Sequence, residues 1–264
     1  MKKLIHKIIR EDNFLSLSGN LIIALLGFGG FALLARSLET EEFAQWVLFI
    51  SGGSLVEMLR YGITNNGLVR FLSGATDQNK ERFIGANVVI SFCATLIIAL
   101  ILIAIKLVFS DVINASSYAL FFNWYPVLVF VNLPLNNALV VQQAKMKYDN
   151  ILFIKALNSG LFFSFLLVNT FFLKRSILEI TIVFLLINTL TSLVCVSKSW
   201  DGLLLFKKAN KATLNALLHF GKYSTFTLIG TNLLRNADIL IISISPFGST
   251  AVALFSIPLK LTEL

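Results

Sequence analysis

The sequence predicts an all-α fold: a polytopic membrane helix bundle, with one six-helix bundle followed by the first two helices of a second, parallel-repeat bundle. Three observations carry that expectation. The 264 residues are 56% hydrophobic and 14% charged, with 24 Phe and a mean hydropathy of +0.81, whereas soluble domains carry about 25% charged residues. Several apolar runs reach the roughly 20 residues that a helix needs to cross a hydrocarbon layer ~30 Å thick. None shows the alternating period of a membrane β-barrel strand.

The elements follow in order. The opening "MKKLIHKIIREDNF" sets Leu4, Ile5, Ile8 and Ile9 on one helical face and Lys3, Lys7 and Arg10 largely on the other. It reads as a short helix at the membrane surface or as a basic tail, and the absence of a small-x-small cleavage site before further spans argues that it is retained. Apolar runs then predict spans at 14–35, 43–72, 83–109, 118–143, 151–173, 177–197 and 217–245, with an eighth starting near Thr250. The connecting loops are too short to form a soluble catalytic domain.

The net charge of +8 is organised by topology, not by nucleic acid. Fourteen Lys and Arg residues fall on one side of the alternating spans, and Arg36, Lys106, Lys174 and Arg175 on the other, beside Glu39, Glu41 and Glu42. Basic residues accumulate in the cytoplasm, so the N-terminus is expected there, in a multi-pass protein of the plasma membrane. Cys93 and Cys195 both lie in apolar runs and read as small packing residues. His6 and His219 are far apart, with no clustered carboxylate or thiol, so no metal or cofactor site is expected.

A weak repeat organises the chain further. "LARSLETEEFAQWVLFIS" (34–51) aligns with "SISPFGSTAVALFSIPL" (243–259) at an offset of 209, placing Phe43 on Val252, Ala44 on Ala253 and Trp46 on Phe255. Both copies follow one long span, cross a short outside turn and enter the next span, which makes the repeat parallel. The expected division is a six-helix bundle over 1–200, a cytoplasmic linker over 201–216 and the start of a second bundle over 217–264. Moving the second span by the offset predicts an eighth span over 252–281, past Leu264. The sequence therefore reads as the N-terminal part of a longer protein or a truncated frame, with a short final helix as the alternative.

With this layout in place, "LLARSLETEEFAQWVLFIS", "QQAKMKYDNILFIKALNSGLF" and "NADILIISISPFGSTAVALFSIPLKL" resemble segments of the polysaccharide flippases of the multidrug, oligosaccharidyl-lipid and polysaccharide exporter superfamily. One departure is Pro246-Phe247-Gly248, where a Leu-Gly-Pro order is more usual. The resemblance implies two six-helix bundles that rock about a central cavity to pass a lipid-linked oligosaccharide across the inner membrane, for lipopolysaccharide O-antigen or a similar surface polymer. Implied partners are that lipid-linked substrate, membrane lipids and other polysaccharide assembly proteins.

Charges within spans mark the candidate site, because a charge at the bilayer centre costs about 2.5–3.5 kcal/mol on insertion scales and turns toward protein or a wet cavity. Glu57 and Arg60 in span two, and Arg235 and Asp238 in span seven, are each spaced by three, on one helical face. One reading is mutual neutralisation that fixes packing. The other has Arg60 and Arg235 bind a diphosphate across the cavity, with Glu57 and Asp238 tuning them or exchanging a proton or sodium ion. Asn65 and Asn136 are further substrate-binding candidates. Asn132, Asn136 and Asn137 surround Pro134, where a kink is expected to turn a carbonyl toward the cavity. Asn20, Asn158, Asn188 and Asn232 are expected to bond between helices, Lys155 and Lys260 to reach toward an interface, and Gly27, Gly29, Gly30, Gly52 and Gly53 to permit close helix contact.

No catalytic constellation is present, so an enzyme is not expected. Two rivals to a flippase remain at this stage. An organic-cation extruder of the same fold would favour acidic residues in its cavity, and a polysaccharide polymerase or ligase would carry a large outside loop.

Overall fold

The computed structural model describes residues 12–245 and 248–262, and among them no strand occurs. The expected N-terminal surface helix, with His6, lies outside the described residues. Ten α-helices follow in order: α1 (Asp12–Ser37), α2 (Thr40–Tyr61), α3 (Asn65–Leu72), α4 (Asp77–Val108), α5 (Ser110–Asn114), α6 (Ala119–Ala144), α7 (Tyr148–Val168), α8 (Ile177–Ser197), α9 (Lys211–Ser243) and α10 (Gly248–Thr262). A π-helical turn, Asn169–Leu173, extends α7, and a 3-10 segment, Leu203–Lys208, precedes α9.

Five of these helical segments are long and apolar enough to cross a membrane: Gly19–Ser37, Asp77–Val108, Ala119–Ala144, Tyr148–Leu173 and Ile177–Ser197. The polytopic bundle is therefore present, but two expected spans differ from the rest. Span two is broken at Gly62–Thr64, where Thr64 N–H turns back to Tyr61 O at 3.1 Å, and it continues as the separate α3. α2 and α9 also fall short of the apolar content of the other five, α2 through Glu57, Arg60 and the Ser-Gly stretch 51–54, and α9 through 232–238. A helix that turns its polar stretch toward protein needs less apolar surface than one bathed in lipid.

Opposite ends of the helices meet in the pattern that alternating topology requires. At one end Tyr118 and Ser243 hydroxyls lie 2.5 Å apart and Ile177 N–H donates to Glu42 at 3.4 Å. At the other, rich in Lys and Arg, Lys208 pairs with Glu81, and Gln142 bridges to Trp200 O at 3.0 Å. Within 201–216, the 3-10 segment packs on α4, and Asn210 with Thr213 caps α9, which starts at Lys211 where the apolar run predicts a span from 217.

The core is aromatic. Trp46 stacks on Phe49 and Phe162 with centroids 5.6 Å apart and meets Phe184 edge-on, while Phe121 stacks on Tyr125 at 4.9 Å. Small residues let these rings approach. A Cβ on Gly53 would sit 2.5 Å from the Tyr125 ring, and Gly29 and Gly52 are equally tight against Phe163 and Phe121. Gly27 departs from that expectation, with nothing within 4 Å of a Cβ built on it. Finally, α9 and α10 pack against α2, and Val252 and Ala253 are buried in the same cluster as Phe43 and Ala44.

Candidate functional site

Two polar regions lie within the membrane-spanning part, and they differ in kind. The first is a network joining α2, α4 and α6. Its centre is Arg60, which is 0% exposed. Nη1 donates to Glu57 Oε1 at 2.7 Å, and Nη2 donates to Tyr61 Oη at 3.1 Å and Thr95 Oγ1 at 2.9 Å. The other Glu57 oxygen accepts from Asn136 Nδ2 at 2.8 Å, and the Tyr125 hydroxyl is shared between Glu57 Oε1 (3.2 Å) and Gly53 O (2.9 Å). The expected neutralisation of Arg60 by Glu57 one turn away is thus present, and both carboxylate oxygens carry donors.

The network continues at the same level. Ser91 donates to Asn137 Oδ1 at 2.8 Å, and Asn87 reaches the same oxygen at 3.3 Å. The two prolines of α6 are carried within one helix. Near Pro134, Val131 O accepts from Ser192 Oγ at 2.6 Å, and Leu133 O is met by the Tyr61 hydroxyl at 3.5 Å.

The second region is a cavity of about 550 Å³, walled by α1, α2, α7 and α8 on one side and by α9 and α10 on the other. Trp46, Phe162 and Phe184 give it aromatic surface; Ser54, Asn158 and Asn236 give it hydrogen-bonding groups. Lys260 contributes the cation, and among the described lining residues there is no carboxylate. Gly27 faces this space, which explains why nothing crowds it.

The predicted residues divide accordingly. Glu57, Arg60 and Asn136 come together in the network, not in the cavity lining. Asn65 opens α3, and its Oδ1 is buried without a hydrogen-bond partner. Asp238 is exposed on α9, and the side chain of Arg235, like that of Asn232, lies outside the described residues. Asn158 does bond between helices, to Asn188 at 3.2 Å, and also lines the cavity.

Lys260, expected to reach toward an interface, is half-buried in the second half of α10 and lines the cavity beside Ser256 and Leu259. Its spacing of four from Ser256 and its place in the repeat partner of span two were the available signals.

Among known proteins, a family model described as polysaccharide biosynthesis protein matches residues 9–263, nearly the whole chain. No curated protein and no solved structure matches it.

Proposed function

The chain belongs to the polysaccharide biosynthesis protein family, a membrane protein of the flippase type, and from that premise we propose that it moves a polyprenyl-diphosphate-linked oligosaccharide across the bacterial inner membrane, with its N-terminus in the cytoplasm. The observation that carries the reading is the cavity between α1, α2, α7, α8 and the α9–α10 pair. It is concave, largely apolar and supplied with a few convergent polar groups, as small-molecule sites are.

Its lining suits a glycolipid head. The flat faces of Trp46, Phe162 and Phe184 match the C–H faces of pyranose rings, Ser and Asn side chains match their hydroxyls, and the Lys260 ammonium is a point charge suited to phosphate. Arg60, already engaged by three partners in the interior, is assigned a positioning part: it ties α2 to α4 through Thr95, while its partner Glu57 ties α2 to α6 through Tyr125 and Asn136. Glu57, with donors on both oxygens, is given no exchange step. Exposed Asp238 is then the carboxylate available to exchange a proton or sodium ion. The lining carries a cation and no described carboxylate, which weighs against the organic-cation extruder.

We read the division into a first bundle over 1–200 and a second beginning at 217 the same way: α9 and α10 are the helices that close the cavity opposite the first bundle, and rocking between the two sets would change access to it. The test is uptake of a labelled lipid-linked oligosaccharide into proteoliposomes, run beside efflux of a cationic dye. The reading expects the first and not the second. Lys260→Gln should slow uptake about ten-fold, the loss of one charge-assisted hydrogen bond, and Lys260→Arg should restore it. Dye efflux without glycolipid uptake would overturn the proposal.

A further inference from the structure

A second concavity, sharing no residue with the transport cavity, lies between α3 and the first half of α9. It encloses about 860 Å³ at the basic end of the bundle. Its floor is closed by tight packing: Gly67 lies against Leu217 and Phe220, and a Cβ on Gly221 would meet Ile63 O at 2.3 Å. Asn66 Nδ2 donates to Ser224 Oγ at 2.8 Å and ties the two walls together.

The charge of this groove is one-sided. The α3 segment 65–72 and the α9 segment 211–228 contain Arg70, Lys211, His219 and Lys222 and no Asp or Glu. The acids on the neighbouring start of α4 are engaged elsewhere, Asp77 by Lys80 and Glu81 by Lys208. Among the described residues, no ion pair involves Arg70 or Lys222. Arg70 instead holds its guanidinium carbon 4.9 Å from the centroid of the Phe220 ring, a cation–π contact that keeps the charge at the groove. Lys222 stands 4.8 Å over Tyr223 in the same manner.

Going inward along α9, the charged mouth gives way to an apolar trough. His219, Tyr223, Thr227 and Leu228 line one side of the helix, and the ten residues from His219 to Leu228 rise by about 13 Å. Tyr223 is 63% exposed along it. A cationic, acid-free mouth at the membrane surface continuous with an apolar trough toward the bilayer interior is complementary to a lipid with an anionic headgroup.

We infer that the α3–α9 groove binds an anionic phospholipid of the adjoining leaflet, with its phosphate held by Arg70 and His219 and an acyl chain lying along Tyr223, Thr227 and Leu228. The groove shares no lining residue with the proposed transport cavity, so a bound lipid would lie against α3 and α9 without occupying the pathway.

The experiment is native mass spectrometry of the full chain released from detergent after titration with phosphatidylglycerol or phosphatidylcholine. One phosphatidylglycerol should be retained about ten-fold more tightly than phosphatidylcholine, the discrimination of one charge-assisted phosphate contact. Arg70→Gln combined with His219→Gln should remove that preference, Arg70→Lys should keep part of it, and Lys260→Gln in the transport cavity should leave it intact. The comparison of the two lipids on the unaltered chain requires no variant to fold. Equal retention of both lipids, an unchanged preference in the double variant, or displacement by inorganic phosphate would overturn the inference. So would displacement by a polyprenyl diphosphate, which would make the groove a substrate site, or release of lipid on formation of a dimer, which would make it an interface between copies.

Discussion

The α2–α4–α6 network and the cavity beside it are both polar regions inside a greasy bundle, yet one is a web of hydrogen-bonded side chains and the other surrounds about 550 Å³. In the network, Arg60, Glu57, Tyr61, Thr95, Tyr125 and Asn136 hydrogen-bond to one another, with only Arg60 Nε among the Arg60 nitrogens left without a partner. In the cavity, aromatic faces and scattered Ser, Asn and Lys groups surround a volume. Buried charges therefore mark the rigid wall of this protein, and the space lies one helix face away. Ser54 shows how close the two are, since it lines the cavity and stands one turn from Glu57.

The largest expected effect breaks the network. Glu57→Leu leaves Arg60 as a fully buried cation without its carboxylate and should destabilise the protein by about 3–5 kcal/mol, as breaking a buried pair does. Arg60→Leu should cost less, because Glu57 keeps the donors Tyr125 and Asn136 and 25% of its side-chain exposure. Replacing both with Met should recover most of the loss. Thermal unfolding in detergent reads all three, and equal costs for the two single variants would mean that Glu57 is not the group that neutralises Arg60.

Gly53→Ala tests the same wall at its tightest contact. The added methyl meets the Tyr125 ring at 2.5 Å, so Tyr125 must move off both Gly53 O and Glu57. A cost of about 1–3 kcal/mol is expected from overpacking, measured again as a drop in melting temperature. Gly27→Leu makes the opposite probe. Its side chain enters open cavity, so stability should hold within about 0.5 kcal/mol, while glycolipid uptake falls because the volume is filled. A variant that unfolds, or one that transports normally, would erase the distinction between filled wall and open space.

Much of this was legible in the sequence. Hydropathy located the long helices, and the spacing of three between Glu57 and Arg60 foretold their 2.7 Å pairing. The partners of Arg60 were not legible, since Thr95 is 35 residues away and Asn136 reaches Glu57 across 79; a helical period tells which residues share a face, not which face of another helix it meets. The break at Gly62–Thr64 was hidden for a related reason. Ile63 and its neighbours are apolar enough to continue a span, and only the approach of Gly221 and Thr225 from α9 sets where the chain turns.

Outside the membrane, Asp201 gives a finer contrast with Glu57. It is 2% exposed, its Oδ1 accepts from Leu203 N–H at 3.2 Å, and its Oδ2 has no hydrogen-bond partner. Burial raises its carboxyl above the usual carboxylate value, with backbone N–H groups at Leu203, Asp201 and Gly202 opposing the rise. A folded-state pKa above the unfolded one means that the folded protein holds the proton more tightly. Its contribution is full at acid pH and is lost as pH rises through the raised value. Asp201→Asn keeps an oxygen for Leu203 and removes the charge, so its stability relative to the unaltered protein should grow with pH above about 4 and then level off.

The smallest effect belongs to the exposed pair Lys80–Asp77, 3.1 Å apart at the basic end, with Asp77 97% exposed. Lys80→Ala should change stability by no more than about 0.5 kcal/mol, against several kcal/mol for Glu57→Leu, although both remove one partner of an i,i+3 ion pair on a helix. The two pairs have the same spacing and similar distances, so sequence geometry alone predicts equal worth. Their difference is set by what surrounds them: water solvates Lys80 whichever partner it has, whereas Arg60 has no water to fall back on, only Glu57, Tyr61 and Thr95. Measured side by side in one unfolding assay, with salt raised to screen the exposed pair, Lys80→Ala should lose even its small effect while Glu57→Leu should not. If added salt relieves the cost of Glu57→Leu as well, ions reach Arg60, and the wall is open to the same water as the cavity.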